Sequence, residues 1–193
     1  MLINQKFLAV VSIWLAALPA NADVSPWKEV GGWDISFYPN SRGCLGMANY
    51  DSGTSFFIGF SMPDDGLLFE ISLMNDDWVS IEKGKEYSIT VTFGDENPWT
   101  LDMYGEKFGT LPGLQFTIDA NAESSGRFVD EFKRETSMTW SFNGNSLGYM
   151  TLRGSRNAFD EVVACQRSFN EALRSISTDP FQQGFSTTED PFR

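Results

Sequence analysis

The chain has 193 residues, of which 26 are acidic and 14 are basic, and it contains no histidine. The net charge of −12 disfavours binding to nucleic acid or to an anionic membrane surface. The absence of histidine excludes Ser-His-Asp and Cys-His hydrolases and removes the commonest ligand of transition metals. We therefore expect no cofactor and no metal site and assign no catalytic residue, although chemistry through carboxylates, lysine or tyrosine remains open.

The first 22 residues have the features of a secretory signal peptide. Lys6 provides the positive flank, residues 7–18 form an apolar run too short to span a bilayer comfortably, and Ala20 and Ala22 are small residues of the kind that a signal peptidase reads. The mature chain would begin at Asp23 and, having lost Lys6, would carry a net charge of −13. No cysteine lies near the cleavage site, which disfavours a lipid anchor, and no later segment is apolar enough for a membrane helix. We expect a soluble protein of the periplasm or the extracellular space.

From Trp33 onward apolar and polar residues alternate, which is typical of strands that have one buried face. Asn143-Gly144 favours the tight turn of a hairpin, because both residues readily adopt positive φ angles. Between residues 121 and 134 the apolar residues lie four apart, which predicts a short helix. The predicted strands cover residues 33–38, 43–50, 55–62, 67–73, 87–93, 99–103, 113–118, 137–142 and 147–152.

A longer helix follows the last predicted strand. Ser155 is suited to be its N-cap, and from Ala158 to Leu173 apolar residues recur at helical spacing in one stripe that includes Cys165. Cys44 and Cys165 are the two cysteines of the chain, and in an oxidising compartment they would form one disulfide. A redox pair is the weaker alternative, because no Cys-x-x-Cys motif is present. The disulfide would pin the helix to the strand that carries Cys44.

These elements predict one mainly β domain over residues 23–176. We expect a single antiparallel β-sandwich or distorted barrel of eight or nine strands, with a short helix and a C-terminal amphipathic helix. Residues 177–193 are mostly polar, with glycine and proline, and predict a flexible tail. The tripeptide Asp-Pro-Phe occurs twice in this tail, so Phe181 and Phe192 are candidate docking anchors, with coincidence as the alternative.

Among the tryptophans, Trp78 is the candidate for ligand binding. Trp33, Trp99 and Trp140 alternate with the other residues of their strands, as core residues do. Trp78 instead lies in a predicted loop, where its flat apolar ring could contact a sugar or a peptide.

Acidic residues are grouped at positions 64–65, 76–77 and 95–96. Each group lies beside Gly, Asn or Pro in a predicted turn and none has the spacing of an EF-hand, so solvated turns are favoured over calcium sites. Glu70 and Asp102 lie on the polar faces of their strands, where two carboxylates could converge across a cleft to hydrolyse a glycoside. Solvent-facing positions are the simpler interpretation of both.

The order of features along residues 27–169 points to a known family. A Trp-x-Ile-x-Phe strand at residues 33–37 leads to Cys44, alternating strands follow, and Leu-Arg-Gly-Ser at residues 152–155 precedes an amphipathic helix that contains Cys165. This layout resembles that of small exported proteobacterial proteins of the invasion-associated locus B type. The resemblance implies a β-rich periplasmic or secreted protein linked to the envelope or to host interaction, with no catalytic residues to transfer.

Together these observations predict an exported, non-catalytic binding module whose partner is a protein or a surface glycan. A carboxylate-dependent glycan hydrolase is the first alternative. An inhibitor or immunity protein directed against a secreted enzyme is the second, because an acidic surface suits a basic target.

Overall fold

The computed structural model describes residues 24–63 and 66–177, which form ten strands and two helices. The predicted signal peptide and the candidate anchors Phe181 and Phe192 lie outside the described residues. The helices are α1 (Glu123–Arg134) and α2 (Ser155–Ser177). The strands are β1 (Ser25–Val30), β2 (Trp33–Tyr38), β3 (Gly43–Asn49), β4 (Ser55–Ser61), β5 (Leu68–Met74), β6 (Glu86–Phe93), β7 (Trp99–Phe108), β8 (Leu111–Asp119), β9 (Ser137–Phe142) and β10 (Asn145–Thr151).

The strands form one antiparallel sheet in the order β1-β2-β3-β4-β5-β8-β7-β6-β9-β10, which is not closed. The mainly β fold and the C-terminal helix are confirmed, and each of the nine predicted strands is present. The tenth strand is β1, at the sheet edge. Its side chains are mostly exposed, so it lacks the alternation that predicts the other nine. Pro26 and an irregular register in β1 are also typical of an edge strand.

The sheet folds over on itself around an aromatic core. The ring of Phe56 on β4 lies 6.0 Å from Trp33 on β2 and 5.8 Å from Trp140 on β9. Strands near opposite ends of the sheet therefore pack through a single side chain, which gives the sheet a sandwich-like inner space. Phe132 of α1 lies 6.1 Å from Phe56, and Phe159 of α2 lies 6.3 Å from Phe132, so both helices contribute to the same core.

The two ends of the sheet meet at a pair of glycines. Gly31, between β1 and β2, and Gly154, just before α2, approach so closely that a Cβ atom on Gly154 would lie 2.8 Å from the Gly31 carbonyl oxygen. Both glycines have positive φ angles. Beside them, Trp33 Nε1 donates a hydrogen bond of 3.0 Å to the Arg153 carbonyl. The segment at residues 152–155 is thus the contact that joins the first strands to the last.

Helix α2 covers the inner face of β1 to β4 and is held there covalently. Cys44 and Cys165 form the predicted disulfide, with their Cα atoms 6.0 Å apart. Next to the disulfide, the buried Gln166 Oε1 accepts a hydrogen bond of 2.9 Å from the Cys44 backbone N–H. The pinning of the last helix to the strand that carries Cys44 is confirmed. Neither described helix is long and apolar enough to cross a membrane.

The prediction of Ser155 as an N-cap is wrong. Ser155 is the first residue of α2, and its buried hydroxyl donates a hydrogen bond of 2.8 Å to the carbonyl of Phe132 in the last turn of α1. The last carbonyls of a helix have no partner inside that helix. The Ser155 hydroxyl therefore pairs with a carbonyl at the end of α1 instead of a backbone N–H at the start of α2. A local sequence pattern does not reveal this partner.

Candidate functional site

Two rows of side chains cross the middle of the sheet on the face opposite the helices. Because directly paired residues share a face, the register places Leu45 of β3, Glu70 of β5 and Thr117 of β8 in one row, in which β4 contributes Gly59 and therefore no side chain. The neighbouring row consists of Met47, Phe57, Ser72, Gln115 and Tyr104. The rows bring apolar groups from β3 and β4 next to polar groups from β5 and β8. We refer to this side of the sheet as the outer face.

A cavity of about 720 Å³ lies over these rows. Its volume is within the range of sites that hold small molecules. The turn between β2 and β3 (residues 40–42) and the β7–β8 turn at Gly109 also line the cavity, so that a concave site forms on a sheet face that would otherwise be open. Its apolar walls include Leu45, Phe57, Met62, Met74 and Phe108.

Glu70 is the acidic residue among the described residues that line the cavity, and the residue as a whole is 4% exposed. Its Oε1 atom accepts hydrogen bonds from Ser72 Oγ at 3.2 Å and from Gln115 Nε2 at 2.9 Å. Ser72 is itself buried, and both donors line the cavity. Two neighbouring side chains thus hold the carboxylate in a fixed position, as polar groups in a binding site are held.

The interpretation of Glu70 as an ordinary solvent-facing residue is wrong. Its position in the alternation does place it on the outer face, as predicted. Large side chains such as Leu45 and Phe57, together with the surrounding turns, keep solvent from most of it. The alternation of β5 shows which face Glu70 occupies, but burial depends on what surrounds it on neighbouring strands.

The structure does not bring Glu70 and Asp102 together. Asp102 is exposed on β7, where it pairs with Ser88 of β6, and β8 separates its strand from β5. Asp102 does not line the cavity. The hypothesis that these two carboxylates converge across a cleft is therefore wrong.

Tyr38 lines the cavity from the end of β2. Its ring packs edge-on against Phe57, with the ring centroids 6.1 Å apart. Burial, with a smaller contribution from the nearby Asp34 charge, raises the pKa of the Tyr38 hydroxyl. The phenol therefore stays neutral at ordinary pH and can donate a hydrogen bond.

Trp78, the predicted binding residue, lies elsewhere. It is half-buried in the loop between β5 and β6, packs against the core and does not line the cavity. The turn that leads to it is held by Asn75, whose side chain bonds Thr54 Oγ1 at 2.9 Å and the Asp77 backbone N–H at 2.9 Å. Trp33 and Trp140 are buried in the core as predicted, whereas Trp99 is half-buried.

The predicted solvated turns at residues 76–77 and 95–96 are exposed in the structure, whereas residues 64–65 lie outside its described part. In that described part, no group of three or more His, Cys, Asp or Glu side chains could hold a metal ion.

A second, apolar cavity of about 200 Å³ lies between α1 and the β7–β8 pair. Trp99 lines it and is fixed by a hydrogen bond of 2.6 Å from its Nε1 to Glu131 and by Arg127, whose guanidinium lies 5.0 Å from the ring centroid. This volume is below the range typical of drug-sized ligands. The outer-face cavity is therefore the better candidate.

Apart from Glu70, sequence reasoning missed the residues that form the outer-face cavity, although the sequence contains a sign of them. The pairs Phe56-Phe57 and Leu67-Leu68 interrupt strict alternation, so an apolar residue of each pair must lie away from the core. Phe57 does line the cavity. Large apolar residues on a face that otherwise carries Ser, Thr and Glu are the pattern that could have indicated a site.

Comparisons with known proteins do not assign this site. No family model matches the chain, and no curated protein or solved structure matches it either. The resemblance to the invasion-associated locus B type stays a prediction.

Proposed function

We propose that this chain is an exported, non-catalytic binding protein that takes up a small molecule in the outer-face cavity, in the bacterial periplasm or outside the cell. One observation carries the proposal: a cavity of about 720 Å³ combines apolar walls with a buried carboxylate that two side chains hold in place. Ligand sites in proteins have this composition, with mostly apolar walls and a few well-placed polar groups.

Export is supported by two independent features. The first 22 residues have the charge, apolar run and small residues of a signal peptide. The disulfide between Cys44 and Cys165 is of a kind that persists in oxidising compartments and is rare in the cytosol. Both features support the proposal that the cavity is exposed to molecules of the envelope or of the surroundings.

The number of carboxylates that line the cavity favours a binding function over glycan hydrolysis. Hydrolysis of a glycoside ordinarily requires a pair of carboxylates about 5–9.5 Å apart. Glu70 is the one carboxylate among the described residues that line the cavity, and Asp102 lies on another part of the outer face. The described lining residues therefore do not supply the pair of carboxylates that this reaction uses, which favours recognition of a ligand.

A blocked variant tests the proposal. Thr117 is exposed and lies directly opposite Glu70 on β8, so Thr117→Trp should fill the cavity without disturbing the core. Thr139→Trp, at an exposed position on β9 that does not line the cavity, is the matched control. A library of small molecules would be screened by thermal shift, and each hit would be measured by calorimetry.

We expect at least one chemical class to bind the unmodified protein and the Thr139→Trp variant, but not the Thr117→Trp variant. Ligands that bind the blocked variant equally well would place binding elsewhere and overturn the proposal. The absence of any binding ligand in a library that spans cations, anions and neutral compounds would overturn it as well.

A further inference from the structure

The outer-face cavity also indicates what kind of ligand it takes. We infer that its ligand is an organic cation, a protonated amine with an apolar body, whose charged group contacts Glu70. This inference rests on the proposed function, because it names the ligand class of the same site.

The first argument is the unused half of the Glu70 carboxylate. An ionised carboxylate can accept about four hydrogen bonds, two at each oxygen. Both hydrogen bonds to Glu70 reach Oε1, and none of the described residues donates a hydrogen bond to Oε2. Although Glu70 as a residue is 4% exposed, Oε2 is not among the buried unpartnered atoms of the described residues, so this oxygen still contacts solvent in the cavity. No lysine or arginine in the described part of the chain forms an ion pair with Glu70, so a cationic ligand could replace that solvent.

The second argument is the surroundings of that carboxylate, which favour an organic cation over a metal ion. Calcium takes six to eight oxygen ligands, commonly from several carboxylates. The described residues that line the cavity contribute one carboxylate, and its walls include Leu45, Phe57 and Met74. An apolar body packs well against such walls, whereas a hydrated metal ion does not. Aromatic rings such as Phe57 and Tyr38 also attract cations through their faces.

The third argument concerns where in the cavity the charged group of the ligand would lie. Glu70 and Gln115, which is hydrogen-bonded to it, lie on the neighbouring strands β5 and β8. A cation in contact with Glu70 would therefore lie at this side of the cavity, and its apolar body would extend along Leu45 of β3 and Phe57 of β4. The net charge of −12 also favours the approach of cations to the protein.

Three probes of equal chain length separate the charge from the apolar body: hexylamine, which is protonated at pH 7, 1-hexanol and hexanoate. Their affinities would be measured by calorimetry at low ionic strength. A hydrogen bond to a charged partner contributes enough for about a 10- to 100-fold difference in affinity. We expect hexylamine to bind at least about tenfold more tightly than 1-hexanol, and hexanoate to bind most weakly.

The variant Glu70→Gln tests whether the carboxylate is responsible. Glutamine keeps the shape and can still accept the bonds from Ser72 and Gln115 through its own oxygen, so the fold should be retained, and a melting curve would verify this. We expect this variant to bind hexylamine no more tightly than 1-hexanol. Asp102→Asn removes an exposed carboxylate from the same face outside the cavity and should change the affinity for hexylamine less than about twofold, because screening weakens exposed charges.

Several results would overturn the inference. One is equal affinity of the unmodified protein for hexylamine and 1-hexanol, and another is an equal loss in Glu70→Gln and Asp102→Asn. If both probes bind equally and the Thr117→Trp variant abolishes both, the cavity is a binding site and only the cation assignment fails. If a library spanning all charge classes also yields no ligand for the cavity, the proposed function itself fails.

Discussion

Two buried tryptophans differ by one hydrogen bond, and this difference predicts unequal effects of the same substitution. Trp33 is 2% exposed and its Nε1 donates to the Arg153 carbonyl at 3.0 Å. Trp140 is 1% exposed, and its Nε1 is the one buried side-chain nitrogen or oxygen in the described part of the chain without a hydrogen-bond partner. Replacing either residue by phenylalanine removes the indole N–H and a similar volume.

The free energies of unfolding of the two variants should therefore differ by the hydrogen-bonding contribution. The cost of the lost volume nearly cancels in the comparison, because both rings are almost fully buried. Trp33→Phe loses a hydrogen bond with a net contribution of about 1 kcal/mol. Trp140→Phe removes an unpaired buried donor whose presence costs about 1–3 kcal/mol. We expect Trp33→Phe to destabilise the fold by about 2–4 kcal/mol more than Trp140→Phe does.

Urea unfolding followed by far-UV circular dichroism measures this difference, since fluorescence would change with the loss of a tryptophan in itself. The disulfide would be kept oxidised in all samples. For a chain of this size, the expected difference corresponds to melting temperatures separated by about 4 °C or more. Equal losses in the two variants, or a larger loss in Trp140→Phe, would refute the reasoning, because they would mean that the Trp140 N–H already has a favourable interaction.

Two further predictions concern how α2 is attached. Replacing Cys44 and Cys165 together by alanine should lower the free energy of unfolding by about 4–5 kcal/mol, because the disulfide closes a long loop; a change below about 1 kcal/mol in urea unfolding would contradict this entropic account. Between β1 and α2, hydrogen bonds from Lys28 and Trp27 to Glu161 hold the pKa of the Glu161 carboxyl below its usual value of 4.5. The stabilising contribution of the Glu161 carboxylate should be complete above about pH 4.5 and be lost as the pH falls through the lowered pKa. The protection factors of the β1 amides, which compare the observed exchange rate with the intrinsic rate at the same pH, should therefore fall on acidification in the unmodified protein, but not in Glu161→Gln.

Local patterns in the sequence predict most of the elements correctly. Nine strands follow from alternation, and Asn143 and Gly144 have the positive φ angles, 49° and 77°, that the hairpin turn requires. The pairing of Cys44 with Cys165 follows from their being the two cysteines of a chain that is predicted to be exported. Each of these inferences depends on neighbouring residues or on composition, and not on where distant parts of the chain lie.

Contacts between distant segments explain where sequence reasoning was wrong. The hydroxyl of Ser155 is suited to cap its own helix, yet it bonds to Phe132, 23 residues earlier, because the folded chain places the end of α1 beside it. The edge strand β1 is recognised only by its pairing with β2, since its exposed side chains carry no alternation. Such contacts leave no periodic pattern near the residues concerned.

The candidate site also depends on contacts between distant segments of the chain. Alternation alone places Glu70 on the polar face of β5, and the sequence determines that much. Only the tertiary structure pairs β5 with β4 on one side and with β8, about forty residues away in the chain, on the other, so that Phe57, Ser72 and Gln115 lie in one row beside it. The period of a strand determines which side chains share a face, whereas the order of the strands determines which neighbours bury that face. For this reason, a residue whose pattern is that of a solvated surface position becomes the buried carboxylate of a cavity.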